Sequence, residues 1–185
     1  ITVTKPNFYK YNSPQERQSY IQKTIGAKTA WFFSSISDLQ RVYDALPDET
    51  KQKVIIWNAK LSTKQKFEAW FTIAQNKDLT IFCTRSGVFL PFIELDHVYL
   101  DFEHNNGHKH WDQAPRFHVK LLLPYLQKQF GTKITYCSFT PSIETYFDIY
   151  KKNINLDPSQ QSQGESRSER GHSGVDDLST ILQQF

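Results

Sequence analysis

Apolar positions along the chain fall into six short runs, at 7–11, 30–34, 54–57, 79–83, 97–101 and 134–139. Several are apolar at successive positions rather than at alternate ones. That pattern predicts strands covered on both faces, as in a parallel sheet. Helical spacing separates the runs. Residues 13–25 open with Ser-Pro, an N-cap followed by a first-turn proline, and carry Tyr20, Ile21 and Ile25. Residues 38–46 place Leu39, Val42, Tyr43 and Leu46 on one stripe. Residues 62–75 place Phe67, Trp70, Phe71 and Ala74 on another, which the periodicity assigns to the core. Residues 116–130 carry Leu122, Leu123, Leu126 and Phe130, with Gly131 as the C-cap and Pro124 as an expected kink. Residues 142–150 form the last predicted helix. Strands alternating with helices predict an α/β fold: an open parallel sheet built from βαβ units.

The pattern stops near Asp157. Residues 157–174 are polar, without apolar anchors, and read as a disordered linker. Residues 175–185 regain apolar positions, with Leu178, Ile181, Leu182 and Phe185 as candidate partner-binding residues. Asp176 and Asp177 suit the first turn of a short amphipathic helix. Such a helix has two uses, packing on its own domain or docking in a partner's groove. The expected organisation is a folded lobe at 1–156, a linker at 157–174 and a short amphipathic segment at 175–185.

Composition narrows this picture modestly. The 185 residues suffice for one α/β domain with a real core. A net charge of +3 is too small to demand nucleic acid, though it leaves room for a local basic patch. The two cysteines, Cys83 and Cys137, each lie in an apolar run and read as buried free thiols. No apolar run approaches the roughly 18 residues of a membrane span. The expectation is a reducing, cytoplasmic setting. The chain starts at Ile1 and lacks methionine, which suits a piece of a longer protein.

Candidate chemistry centres on "VYLDFEHN", where a strand ends on Asp101. A carboxylate there is how a nucleotide hydrolase holds magnesium. A phosphate-binding loop after the first strand would need glycine for close backbone approach, yet no glycine lies between Ile1 and Gly26. Pro14 removes a donor there and Glu16 would repel an anion. His104, His108 and His110 have the spacing H-x3-H-x-H, which matches no standard zinc pattern, and no metal or cofactor is expected.

The order of motifs is more specific. "WNAKLSTKQKFEAW" is followed by "LTIFCTRSGVFLPF", "VYLDFEHN", "RFHVKLLL" and "TYCSFTPSIETY". Together they resemble the first motor lobe of the bacterial replication-restart helicases (the PriA, or primosomal protein N′, family of superfamily 2), over roughly residues 8–147. The resemblance implies a RecA-like fold. It aligns "SPQERQSYIQ" with the phosphate loop, putting Glu16 at the phosphate lysine and Arg17 at the magnesium-binding hydroxyl. It aligns "DFEHN" with D-E-E-H-D, keeping Asp101, Glu103 and His104 but putting Phe102 at the catalytic glutamate. Phenylalanine can neither orient nor deprotonate water.

The second motor lobe and the family's zinc-binding cysteines have no counterpart in these residues. The resemblance therefore implies a degenerate, non-catalytic lobe. Nucleic-acid contacts carry over to Thr84, Arg85 and Ser86, and to Thr140 and Ser142. They also carry over to the loop of Lys109, Trp111 and Arg116, which combines cations with a stacking ring. The expected partners are single-stranded or forked DNA, or a replication or repair protein. The alternative is a scaffold that binds protein only. A bland reading keeps these residues as caps and turns, with Arg85 paired to a carboxylate.

Overall fold

The computed structural model describes residues 4–111, 114 and 116–157. Seven strands form one parallel sheet: β1 (Asn7–Lys10), β2 (Thr29–Phe32), β3 (Val54–Trp57), β4 (Thr80–Cys83), β5 (His97–Asp101), β8 (Lys133–Ser138) and β9 (Asn155–Leu156). Their order across the sheet is β3-β4-β2-β5-β8-β1-β9. The six predicted runs are all present. β9 was not foreseen, being two residues long; it pairs with β1 at Asn7 and Phe8. Two further short strands, β6 (Lys109–His110) and β7 (Phe117–His118), form an antiparallel pair outside the main sheet.

Successive strand residues point to opposite faces, and both faces are covered. One face packs Phe8, Phe32, Ile81, Val98, Leu100 and Ile134 with Ile73 of α4 (Thr63–Gln75) and Val119 and Leu123 of α5 (Val119–Phe130). The other packs Tyr9, Trp31, Phe33, Phe82 and Tyr99 with Ile21 of α1 (Pro14–Thr24) and Leu39 and Val42 of α2 (Ile36–Asp44). This second face is aromatic: Trp31 stacks on Tyr99 at 4.4 Å and Tyr9 on Tyr20 at 3.6 Å. Fully burying each such ring contributes roughly 1.5–3 kcal/mol. A short helix α3 (Asp48–Lys51) precedes β3, and α6 (Ile143–Tyr150) follows β8.

Two expectations change. The helix expected over 116–130 starts only at Val119, because Phe117 and His118 pair with His110 and Lys109 instead. His118 caps it, its Nδ1 accepting from the Lys120 amide at 3.0 Å. The helix then runs through Pro124 and ends at Gly131, whose φ of 72° is the left-handed cap that glycine adopts freely. The stripe Phe67, Trp70 and Phe71 is not core: these rings are 65%, 41% and 49% exposed, and Ile73 is the buried residue of α4. β3, against which α4 packs, is an edge strand, and among the described residues no further strand or helix covers the helix's outer face. Cys83 and Cys137 are buried and free, as expected.

Gly107 joins the loop after β5 to the end of β2. A Cβ built there would collide with the backbone carbonyl oxygen of Ser34 and sit 2.8 Å from its carbon. Gly107→Ala is therefore expected to cost about 1–3 kcal/mol, the range for forced overpacking. An unchanged urea midpoint would show that the loop does not close on β2 in this way.

Candidate functional site

The carboxyl ends of the central strands converge on Asp101, the last residue of β5. β8 lies between β5 and β1, so the loop that leaves β1 and opens α1 faces Asp101 across one strand. Ser13 starts α1, its hydroxyl accepting from the Glu16 amide at 3.1 Å, and Pro14 follows at the first helical position. This start turns Arg17 inward, where it is buried.

Arg17 occupies the space beside the acidic strand end. Its Nε donates to Asp101 Oδ1 at 3.2 Å and its Nη2 to Asp101 Oδ2 at 2.6 Å, a bidentate pair. The same Nη2 reaches Asp38 Oδ2 at 2.6 Å. Tyr11 donates its hydroxyl to Asp101 Oδ1 at 2.8 Å. Asp101 has no solvent exposure. Burial raises the pKa of its carboxyl, and Arg17 and Tyr11 pull it back only in part. Burial also works against the charge of Arg17, yet Asp101 and Asp38 more than offset it and raise its pKa. The guanidinium thus stays charged and serves as the internal counter-ion of Asp101. Asp38 is in turn held by Arg41 across one helical turn.

Phe102 follows with φ at 48°, a left-handed conformation that is a genuine outlier for a bulky residue. It brings the ring under the Arg17 guanidinium, 4.7 Å from its carbon, with Phe139 and Tyr11 as aromatic neighbours. Glu16 does not project toward the strand end as a bare charge. Its Oε2 accepts from the Asn12 amide at 2.8 Å and its Oε1 from the Tyr9 hydroxyl at 2.9 Å, which pins the loop before α1. Sequence reasoning read Glu16, Arg17 and Phe102 as departures from the resemblance; it missed that Arg17 bonds Asp101 across 84 residues.

Glu103 is buried and paired with Lys120 of α5 at 2.6 Å. It also accepts from the Ser142 amide at 2.6 Å, and Lys120 donates to Thr145 at 2.6 Å. Burial works against the Glu103 charge, but Lys120 and the Ser142 amide leave its pKa lowered. Ser142, a candidate nucleic-acid contact, thus caps α6 and is tied to Glu103; Thr140 is exposed beside it. The three histidines have separate partners. His104 Nδ1 lies 3.1 Å from Ser138 Oγ, buried His108 Nε2 lies 2.8 Å from the Asp101 carbonyl, and His110 stacks on Phe117. No cluster of three or more metal-ligating side chains occurs among the described residues.

The other nucleic-acid candidates form two groups. Thr84, Arg85 and Ser86 follow β4, where Thr84 caps a 3-10 turn over Arg85–Phe89. Ser86 is exposed and accepts from the Trp57 indole at 3.2 Å. Among the described residues no carboxylate lies within ion-pair distance of Arg85. Lys109, Trp111 and Arg116 flank the β6–β7 loop, with Lys109 5.3 Å above the Trp111 ring, which is 59% exposed. The candidates Leu178, Ile181, Leu182 and Phe185 lie outside the described residues, as do positions 158–174 of the expected linker.

No protein-family model matches the chain. It is similar to curated relatives described as replication restart protein PriA. It is 35% identical over 55% of its length to that of Rickettsia prowazekii, and 29% identical over 63% to that of Borreliella burgdorferi. The matched region is 16% and 18% of those relatives, so the chain corresponds to less than a fifth of their length. Solved structures with the same fold include the C-terminal domain of the DEAD-box protein Dbp5, with a TM-score of 0.57 and 12% identity, covering 91% of this chain and 98% of that one. The DUF1998 helicase MrfA, solved bound to DNA, aligns with a TM-score of 0.51 and 9% identity over 96% of this chain and 29% of that one. The chain is PriA-like in sequence over about half its length and adopts a RecA-like, helicase-like α/β lobe.

Proposed function

We propose that this PriA-like lobe binds single-stranded DNA and does not hydrolyse ATP. The observation that carries the second half is the Arg17 guanidinium seated bidentate on Asp101. A magnesium ion at that carboxylate would have to displace a buried cation that is already paired twice. Glu16, engaged with Asn12 and Tyr9, offers no cation to a terminal phosphate. Phe102 offers neither base nor acceptor to an attacking water.

The first half is supported by the relatives' description as replication restart proteins and by the cation Arg85, without an acidic partner among the described residues, beside Thr84 and Ser86 at a strand end. The half-buried Lys109 beside the exposed Trp111 adds a second cation with a stacking ring. The test has two arms. Calorimetric titration with Mg-ATP is expected to give no heat of binding at millimolar nucleotide; micromolar affinity would overturn the non-catalytic half. Fluorescence anisotropy with a labelled 20-nucleotide strand is expected to show binding that weakens with salt. Arg85→Ala is expected to lower the slope of log K against log salt by about 0.7, the value of one phosphate contact on a single strand. No binding at low salt would overturn the DNA half and leave the protein-only scaffold.

A further inference from the structure

We infer that the DNA strand continues past Arg85 onto the outer face of α4, where Trp57, Phe67, Trp70 and Phe71 are stacking platforms for bases and Lys60 and Lys66 neutralise phosphates. This inference rests on the single-strand reading above and names a surface that neither the motifs nor the relatives assign.

The surface is one connected patch. Phe67 and Phe71 are one helical turn apart with ring centroids at 5.3 Å. Trp70, between them in sequence, lies 6.1 Å from Trp57 at the end of β3. The Trp57 indole donates to Ser86, the neighbour of Arg85, so the rings of α4 are joined to the candidate backbone contacts after β4. Each α4 ring would bury most of its area in an ordinary core helix, yet here Phe67, Trp70 and Phe71 face solvent on successive turns. A run of three adjacent exposed rings on a single helix exceeds the scattered surface hydrophobes of a typical domain.

The chemistry of the patch selects its occupant. Its apolar residues are aromatic; no exposed aliphatic side chain lies on α4, whereas α5 and α6 expose Leu121 and Ile143. An aliphatic face suits a partner helix, while flat rings suit bases, each of which has a π face. The charges around the rings are mainly positive. Lys60, Lys64 and Lys66 precede or open α4, and Arg85 lies at the Trp57 end; the acid within this stretch of α4 is Glu68, already 3.9 Å from Lys64. Lys60 is exposed and, among the described residues, lacks an acidic partner within ion-pair distance. Lys66 is positioned by a bond to the Ala59 carbonyl at 3.2 Å. A polyanion with stacking bases matches both properties, and a neutral apolar peptide matches only one.

The experiment uses the full chain and oligothymidylate of 20 nucleotides, read by anisotropy across a salt series. Trp70→Ala and Phe71→Ala are each expected to weaken binding about five-fold or more, the range for losing one stacked base. Lys60→Ala with Lys66→Ala is expected to lower the salt slope by about 1.4, two phosphate contacts. Trp70 fluorescence in a Trp57→Phe/Trp111→Phe background is expected to be quenched by the strand, because the remaining Trp31 is buried. Lys60, Trp70 and Phe71 are exposed and Lys66 and Trp57 half-buried, so unchanged thermal unfolding of each variant controls for folding. If the wild type binds the strand and these variants bind equally well, the inference fails and the proposed function stands. If the wild type does not bind at low salt, both fail. If the ring variants turn a dimer into a monomer in sedimentation without changing DNA affinity, the occupant is a second copy of this chain and the inference is overturned.

Discussion

Arg17→Ala is expected to lose about 3–5 kcal/mol of folding stability at neutral pH, the cost of breaking a buried ion pair by removing one partner. Asp101 has no exposure and the Arg17 side chain is 8% exposed, so the pair is shielded from solvent. The loss is expected to exceed that of a single pair, because Asp38 also loses its bond at 2.6 Å and Phe102 its cation–π partner. The stranded carboxylate has one escape, which is protonation. Asp101 is already pushed up by burial, and without Arg17 the upward shift grows. The deficit should therefore be smaller at pH 5 than at pH 7. Arg17→Lys keeps a charge but not the bidentate fork, and is expected to recover only part of the loss. Urea denaturation of the three proteins at both pH values reads all of this. A deficit below about 1 kcal/mol, or one equal at the two pH values, would show that Asp101 is not dependent on Arg17.

The same pair accounts for a carboxylate buried at a strand end. A buried carboxylate that lacks its usual cation is costly in any fold. Arg17 supplies that cation from within the chain. Phe102 fits that arrangement: its ring lies under the guanidinium and fills apolar space with Phe139. Arg17 and Phe102 thus form one packing unit. Double-mutant coupling between Arg17 and Phe102 is the natural measure of this.

The sheet was legible because its strands are apolar at consecutive positions, and residues such as Val98, Tyr99 and Leu100 must be covered on both sides. The sequence also placed Asp101 at a strand end, where the structure has it. The stripe of α4 was misread for a physical reason. Helical spacing says that Phe67, Trp70 and Phe71 share a face; whether that face meets a sheet depends on β3 being an edge, which is a property of the strand order. The Arg17–Asp101 pair was invisible for a related reason. It spans 84 residues and exists only because β8 alone separates β1 from β5. The start of α5 was misplaced by three residues because Phe117 and His118 fit a helical stripe as well as they fit the short β6–β7 pair. Local sequence does not reveal that Ser142, a candidate nucleic-acid contact, also caps α6 and bonds Glu103.

Acidification from pH 7 to pH 5 is expected to cost about 2 kcal/mol for each of two histidines, His97 and His108. Burial lowers both from 6.5 to about 4. His97 is stacked on Tyr99 and bonded to Thr135, with Lys133 adding a like charge. His108 has no exposure, is bonded to the Asp101 carbonyl, and its Nδ1 has no partner among the described residues. The sign follows from proton counting. Between about 6.5 and 4 the unfolded chain holds these protons and the folded chain does not, so stability falls as pH falls through that window and stops falling below the folded values. The raised Asp101 carboxyl acts in the opposite direction, because the folded state then takes its proton first. The histidine contribution is therefore read as a difference. His97→Gln and His108→Gln keep a side-chain amide that can donate where Nε2 sits but do not titrate. Each should flatten the dependence of the urea midpoint on pH by its own share, and the double variant by both. A wild-type and double-variant pair with parallel curves from pH 7 to pH 5 would show that neither imidazole is held neutral by the fold.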